Sequence, residues 1–231
     1  MKNSITMLTF TMAFGEARET VHPVLLRDGA DTILVDCGFV GSLPLIEAEL
    51  EKHHVQAADV TGIVLTHQDH DHMGAVAAFK EKYPAVKIYA SEQEEPYISG
   101  KRKSLRLAQA EELQKRLPPD QQEFGRAFCA MLKAVEPAEI DTLLHDGEEL
   151  GWCGGCRVVA TPGHTPGHIA LYLEQHKIAI AGDAIALENG RPVLANPQFA
   201  LDIEGANASM AQLLNLGADT ILCYHGGELR C

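Results

Sequence analysis

Thr66-His67-Gln68-Asp69-His70-Asp71-His72-Met73-Gly74 is the stretch around which the chain is organised. Five of its nine residues carry an imidazole or a carboxylate, and the apolar run Val60 to Leu65 leads directly into it. A buried strand is therefore expected to end in a cluster of potential ligands. Imidazoles and carboxylates crowded this closely repel one another or cost desolvation, and a bound cation relieves both. The alternative is a polar, solvated loop that happens to be rich in His and Asp.

Upstream, Ile5 to Phe10 and Val21 to Arg27 read as strands. Asp28-Gly29-Ala30-Asp31 then makes a hairpin turn into the strand Thr32 to Cys37. Asp36 near the end of that strand, followed by Gly38, is placed at the sheet's edge. Ser42 is expected to cap a helix running to about His54, with Leu43, Ile46 and Leu50 on one face. The His53-His54 pair reads as a solvated helix end, where positive charge is favourable. Downstream of the opening stretch, Val76, Phe79 and Tyr83 form the apolar stripe of a helix from about Gly74 to Lys82, which Pro84 stops. Val86 to Ala90 is a further strand, and the alternation so far is that of an α/β sheet.

From Ser91 to Glu139 the chain turns helical and charged, with helices expected over Ser104 to Leu117 and Asp120 to Val135, separated by Pro118-Pro119. Such an excursion between strands is either a lid over a site or extra packing on the outside of a sheet. Lys101, Arg102, Lys103 and Arg106 are its basic cluster, which either clamps an anionic substrate or begins a solvated helix. Tyr97 is a second substrate-facing candidate.

Strands return at Thr142 to His145, Glu149 to Trp152 and Arg157 to Thr161. The Cys153-Gly154-Gly155-Cys156 segment between the last two reads as a tight turn; a redox pair or half a zinc knuckle is the other possibility. The rigid loop Pro162-Gly163-His164-Thr165-Pro166-Gly167-His168 presents His164 at a strand end. A hairpin of His168 to Leu173 and Lys177 to Ala181 ends in Gly182-Asp183. A helix, Glu204 to Leu216, and a strand, Asp219 to Tyr224, lead to His225-Gly226-Gly227.

Composition limits the options. At 231 residues and 46% apolar content the chain can bury a full core. A net charge of -13 argues against nucleic acid as a partner, since phosphate binding is driven by Lys and Arg. No run approaches the roughly 18 apolar residues that span a bilayer. Lys2 and the patch Met7 to Phe14, broken by Thr9, Thr11 and Gly15-Glu16, do not make a signal-peptide core. Six irregularly spaced cysteines do not resemble a disulfide framework. The expectation is a soluble, cytoplasmic protein acting on a small molecule.

Four strand ends thus deliver ligand-type residues: the opening stretch, His164, Asp183 and His225. Together with Asp36 they resemble the five motifs of the metallo-β-lactamase superfamily over about residues 30 to 227. The resemblance implies an αββα sandwich of two mixed β-sheets with helices on the outer faces, in a single domain over residues 1–231 with a helical insertion at about 91–139. It implies two divalent ions, zinc foremost with manganese or iron as options. His67, Asp69 and His164 would hold the first ion, and Asp71, His72 and His225 the second. Asp183 would bridge them, and Asp36 would orient the ligand loop. The activity implied is hydrolysis of a lactone, thioester or phosphoester by a metal-bridging hydroxide, with Asp71 orienting it and passing a proton. Tyr97, Lys101 and Lys103 are the substrate-binding candidates. Asp69 departs from the family pattern, which has histidine there; the carboxylate makes the first position harder, suiting manganese or iron. His70 either points away or replaces Asp69 as ligand, and His168 supports its loop. An iron-dependent redox enzyme and a non-catalytic, metal-stabilised protein are the alternatives.

Overall fold

A computed structural model of the chain describes residues 3–15 and 17–231; Lys2 and Glu16, which entered the N-terminal reading, lie outside the described residues. Two six-stranded mixed sheets form the centre. The first has the order β1 (Ser4–Met7), β4 (Val24–Arg27), β5 (Thr32–Val35), β6 (Gly62–Leu65), β7 (Lys87–Ser91), β8 (Thr142–Leu144). The second runs β16 (Gly227–Arg230), β15 (Thr220–Cys223), β12 (Ile178–Ile180), β11 (Ile169–Leu173), β10 (Cys156–Ala160), β9 (Glu149–Leu150).

Why the strands read as continuous apolar runs is clear from which face each residue covers. Successive side chains in a strand point to opposite faces. In the first sheet Leu25, Leu34, Ile63 and Leu65 pack outward against Ile46 and Leu50 of α1 (Leu43–Lys52) and Val76 and Phe79 of α3 (Val76–Lys82). Their neighbours Val24, Leu26, Ile33, Val35 and Val64 point inward and meet Val158, Ile169, Leu171 and Ile180 of the second sheet. That sheet's other face, with Val159, Ala170, Tyr172 and Ile221, is covered by Leu213 of α7 (Ile203–Leu214). The layers are therefore helix, sheet, sheet, helix, as the resemblance implied.

Several local expectations change. The strand expected over Ile5 to Phe10 stops at Met7, and Phe10 opens a separate hairpin of β2 (Phe10–Phe14) and β3 (Ala17–Val21). A second small hairpin joins β13 (Ala186–Glu188) and β14 (Arg191–Val193) through Asn189-Gly190, both at positive φ. The expected helix over Gly74 to Lys82 is preceded by one turn, α2 (His70–Met73), made of the opening stretch itself. Ser42 sits at the start of α1 but donates its hydroxyl back to Phe39 O rather than capping the helix. The 91–139 excursion holds α4 (Glu95–Ile98), α5 (Leu105–Gln114) and α6 (Gln122–Lys133), and Ser104 Oγ accepts from Leu107 N as a true N-cap. No helix among the described residues is long and apolar enough to cross a membrane.

β5 and β6 run parallel, as do β12 and β15; β10 runs the same way as β12, because β11 is antiparallel to both. Asp36, His67, His164, Asp183 and His225 all follow the C-terminal ends of these five strands. Topology alone thus delivers five separate segments to one edge.

Candidate metal centre

At that edge the seven expected ligand residues converge. Three overlapping groups have ligand atoms close enough to share an ion: His67, Asp69 and His164; His67, His72 and Asp183; Asp71, His72 and His225. Asp183 Oδ1 lies 3.1 Å from His72 Nε2 and 3.5 Å from His225 Nε2, while its Oδ2 is 3.4 Å from His164 Nε2. It stands between His164 on one side and His72 and His225 on the other.

The local backbone explains how each side chain is aimed. Asp36 adopts a left-handed φ of +64°, a region that Asp tolerates better than most residues. Its carboxylate accepts from Thr66 N at 2.9 Å and from His72 Nδ1 at 2.9 Å. With Nδ1 held by Asp36, His72 Nε2 faces Asp183. His168 donates from Nδ1 to Thr161 Oγ1 at 2.7 Å and accepts from Asp183 N at Nε2, 2.9 Å. Both ring nitrogens are used, so His168 holds the Asp183 turn and is not available as a ligand. Burial, with His67 and His164 nearby, keeps its pKa well below that of a free imidazole.

Glu94, fully buried, was missed by the sequence reading. Its carboxylate accepts from Gln68 N at 3.0 Å and Gly167 N at 2.8 Å, tying the opening stretch to the His164 loop. Gln68 Oε1 in turn accepts from Leu105 N and fastens the start of α5. Nothing in the acidic run Glu92-Gln93-Glu94-Glu95 distinguishes this residue by pattern.

The three substrate-binding candidates lie away from the ligand cluster. Lys101 pairs with Glu95 at 2.6 Å and Lys103 pairs with Glu111, both at the exposed surface. Tyr97 and Lys103 border a separate depression beside α4 and α5, and none of the three lines the cavity that opens on the ligand cluster. The member of the basic cluster that reaches the site is Arg106. On the first turn of α5 and only 3% exposed, it donates to Asp69 Oδ2 from Nη2 at 2.6 Å and from Nε at 2.9 Å. The position on the helix decides this: Arg106 and Ala110, four residues apart, form the buried face of α5.

The cluster's electrostatics follow from its density. Burial alone would raise the pKa of Asp69, but Arg106, His164 and His67 hold it well below the usual carboxylate range. Asp183 is lowered in the same way by His72 and His225 against the cost of burial. Burial would lower His225, yet Asp183 and Asp71 push it up to about 9. Several buried atoms have no hydrogen-bond partner, among them His67 Nε2, His72 Nε2 and Asp183 Oδ1. Buried polar atoms are rarely left so. Unpartnered imidazole nitrogens and carboxylate oxygens facing one another fit a divalent cation. His70 belongs to none of the three groups; its ring lies edge-on to Phe39 and Phe128 at 5.8 and 5.9 Å. Cys153 and Cys156 are free and buried, Cys153 in the turn after β9 and Cys156 at the first position of β10, and burial pushes the Cys156 thiol up to about 12. A thiol held in that state is a poor nucleophile or ligand.

A cavity of about 730 Å³ opens on the cluster. Its polar lining includes Asp69, Asp71, His164, Asp183 and Arg106 with Glu19, His70 and Asn196 beside them, and Phe14, Phe39, Phe124, Phe128, Met131 and Phe199 are its large apolar residues. Phe124, Phe128 and Met131 come from α6, so the helical excursion walls the site.

Comparison with known proteins agrees with this geometry. The chain is similar to the probable metallo-hydrolase YflN of Bacillus subtilis, 28% identical over 217 residues that cover 84% of this chain and 75% of that protein. It is also 26% identical to a hydroxyacylglutathione hydrolase of Aeromonas hydrophila, over 87% of this chain and 59% of the relative. A metallo-beta-lactamase family protein from Thermus thermophilus superposes with a TM-score of 0.74 at 26% identity, covering 98% of this chain and 74% of that one. The sequence pattern of the metallo-beta-lactamase superfamily matches residues 18–225. With that match and five strand ends converging on one cluster of His and Asp, the chain belongs to the metallo-beta-lactamase superfamily.

Proposed function

We propose that the protein is a metal-dependent hydrolase with a two-position metal cage, zinc being the first choice and manganese or iron the others, that cleaves a carboxylic ester-like bond carrying an apolar acyl group. The observation that carries this reading is the union of the His/Asp cluster with an aromatic-walled cavity. Divalent ions bound there would lower the pKa of a water toward neutrality and polarise a carbonyl. A cage that opens on a large cavity suits catalysis, whereas structural zinc sites are closed by four protein ligands.

The chain's own residues divide the remaining work. Asp71, within 3.1 Å of His225 Nε2, is kept ionised by His70, His72 and His225 although burial opposes it. It is placed to accept a hydrogen bond from the attacking water and to return the proton to the leaving group. Phe14, Phe39, Phe128 and Phe199 exclude water and hold the acyl part by apolar contact. The one Arg or Lys among the described cavity-lining residues, Arg106, is already engaged by Asp69. That favours a lactone or thioester over a phosphoester, which needs free donors for its charged oxygens. The similarity to a hydroxyacylglutathione hydrolase points the same way.

The test is a series of acyl thioesters and lactones of increasing chain length, with a phosphodiester for comparison, each with and without chelator. Hydrolysis should be abolished by chelator, and kcat/KM should rise about fourfold per added methylene, the equivalent of ~0.8 kcal/mol, until the cavity is full. Faster turnover of the phosphodiester, or indifference to chain length, would overturn the substrate reading.

Metal binding should also be visible in stability against pH. In the metal-free protein His225 has a pKa of about 9, above the roughly 6.5 of an unfolded chain. A group raised in this way contributes stability that is fully present below the unfolded value and is lost as pH rises through the folded one. A metal takes the neutral ring and releases that proton. The melting temperature of the chelator-treated protein is therefore expected to fall between about pH 6.5 and 9, and the gap to the metal-loaded protein to widen. A gap that stays constant over that range would contradict the role given to His225.

A further inference from the structure

We infer that the Arg106 guanidinium competes with metal for the first position of the cage, so that the two positions load in sequence, the second before the first. This rests on the reading that the cage holds divalent metal. Its basis is the pair of atoms that Arg106 touches. Nη2 lies 2.6 Å from Asp69 Oδ2 and 3.1 Å from His164 Nε2. Those two atoms are themselves 3.0 Å apart and belong to the group His67, Asp69 and His164. The guanidinium therefore stands in the space that an ion held between Asp69 Oδ2 and His164 Nε2 would have to enter, and it takes up the Asp69 oxygen that such an ion would bind.

The guanidinium is fixed there by more than Asp69. Nη1 donates to Phe199 O at 2.5 Å and to Gln109 Oε1, and the Phe199 ring lies 5.0 Å from the guanidinium carbon. Arg106 is thus held in place by protein groups alone. Among the described residues no Lys or Arg pairs with Asp71, His72, His225 or Asp183, although both groups keep unpartnered buried atoms, Asp69 Oδ1 and His164 Nδ1 in the first and His72 Nε2 and Asp183 Oδ1 around the second.

Charge leads to the same asymmetry. Asp69, Asp71 and Asp183 are the three carboxylates in the metal-binding groups. One divalent ion together with the always-charged guanidinium neutralises them. A second divalent ion must enter against Arg106, in a buried site where like charges are poorly screened. The carboxylate at position 69 and the arginine at position 106 thus act as a unit: Asp69 supplies the charge that keeps Arg106 buried, and Arg106 holds the oxygen that faces the first position.

The measurement is direct metal binding, without recourse to activity. Metal-free protein is titrated with Zn2+ against a chromophoric chelator, and metal is counted after desalting. Wild-type protein should retain one equivalent, with a second bound at least about tenfold more weakly, a separation typical of coupling between sites. Arg106→Gln, which keeps a hydrogen-bonding group without the charge, and Arg106→Ala should retain two equivalents, the weaker ion tightening by about tenfold or more. His225→Ala should remove the tight ion. Circular dichroism melting checks that each variant folds, and the wild-type ratio of affinities stands as a test even if Arg106→Ala does not. Two equally tight ions in wild-type protein, or a weak ion no tighter in Arg106→Gln than in wild type, would overturn the competition while leaving the two-position cage intact. Absence of any bound ion would overturn the cage and the competition together.

Discussion

Asp183→Ala is expected to abolish both metal retention and hydrolysis, lowering kcat/KM by at least about a thousandfold, or roughly 4 kcal/mol of transition-state stabilisation. Its carboxylate is the group that reaches both sides of the cage, with Oδ1 facing His72 and His225 and Oδ2 facing His164. Removing it leaves those imidazoles without the anion that draws them together. The backbone should survive the change, because the Asp183 turn is held by its own N–H donating to His168, a bond that alanine keeps. Metal analysis after desalting, kinetics and a thermal melt separate the outcomes. Loss of activity with full metal content would assign Asp183 to the chemistry rather than to the cage, and retained activity would remove it from the site.

Gly163→Ala is expected to destabilise the fold by about 3 kcal/mol or more, the sum of a strained backbone and an overpacked contact. Gly163 has a φ of +132°, and a Cβ there would stand 2.0 Å from Ala206 N and 2.4 Å from Ala206 Cα in the first turn of α7. Both colliding atoms are backbone, so no side-chain rotation relieves them. Gly163 O also accepts from Leu201 N and Asp202 N at 3.0 and 2.9 Å, locking the His164 loop to the start of α7. For a domain of this size the melting temperature should drop by about 6–12 °C, and His164, the next residue, should be displaced with it. A variant that melts within a degree or two of wild type and keeps its metal would show that the loop relaxes around the clash.

The strand ends and the His and Asp residues beside them were legible from short-range pattern, whereas the layer arrangement came from the family resemblance. Apolar runs ending in an acid or histidine beside glycine mark strand ends, and five of those ends are brought together by the topology. Asp36 was visible as an acid at a strand end, with its role implied by the resemblance, and His168 as a histidine closing the Pro162 to His168 loop. What escaped reading was set by distance in sequence or by weak local pattern. Arg106 stands with Lys101, Arg102 and Lys103 in what reads as a solvated helix start. Its partner Asp69 is 37 residues away, and the spacing to Ala110 was the one local sign that it faces inward. Glu94 carries no sign at all, because its role comes from accepting backbone N–H groups of two separate loops. The β13–β14 hairpin was readable in principle from Asn189-Gly190, a two-residue turn that favours positive φ at both positions. The β2–β3 hairpin was not: Thr11, Arg18, Glu19 and Thr20 interrupt the apolar alternation, and the pairing buries little on its outer side.

Asp69 gains a different meaning from its surroundings. By type it is a carboxylate where the resembled pattern has a histidine; by contact it is half of a buried ion pair that brings a cation to the first metal position. The guanidinium balances the charge that the carboxylate brings, so the departure in the ligand motif is accompanied by a buried cation on α5.

The claim that the converged His and Asp side chains form a metal cage is tested most directly by diffraction at the zinc absorption edge, using crystals of wild-type and Asp183→Ala protein grown with zinc. Wild-type crystals are predicted to give an anomalous peak enclosed by Asp71, His72, Asp183 and His225, and Asp183→Ala crystals none. An anomalous map with no peak among these residues in the wild-type protein would contradict the account.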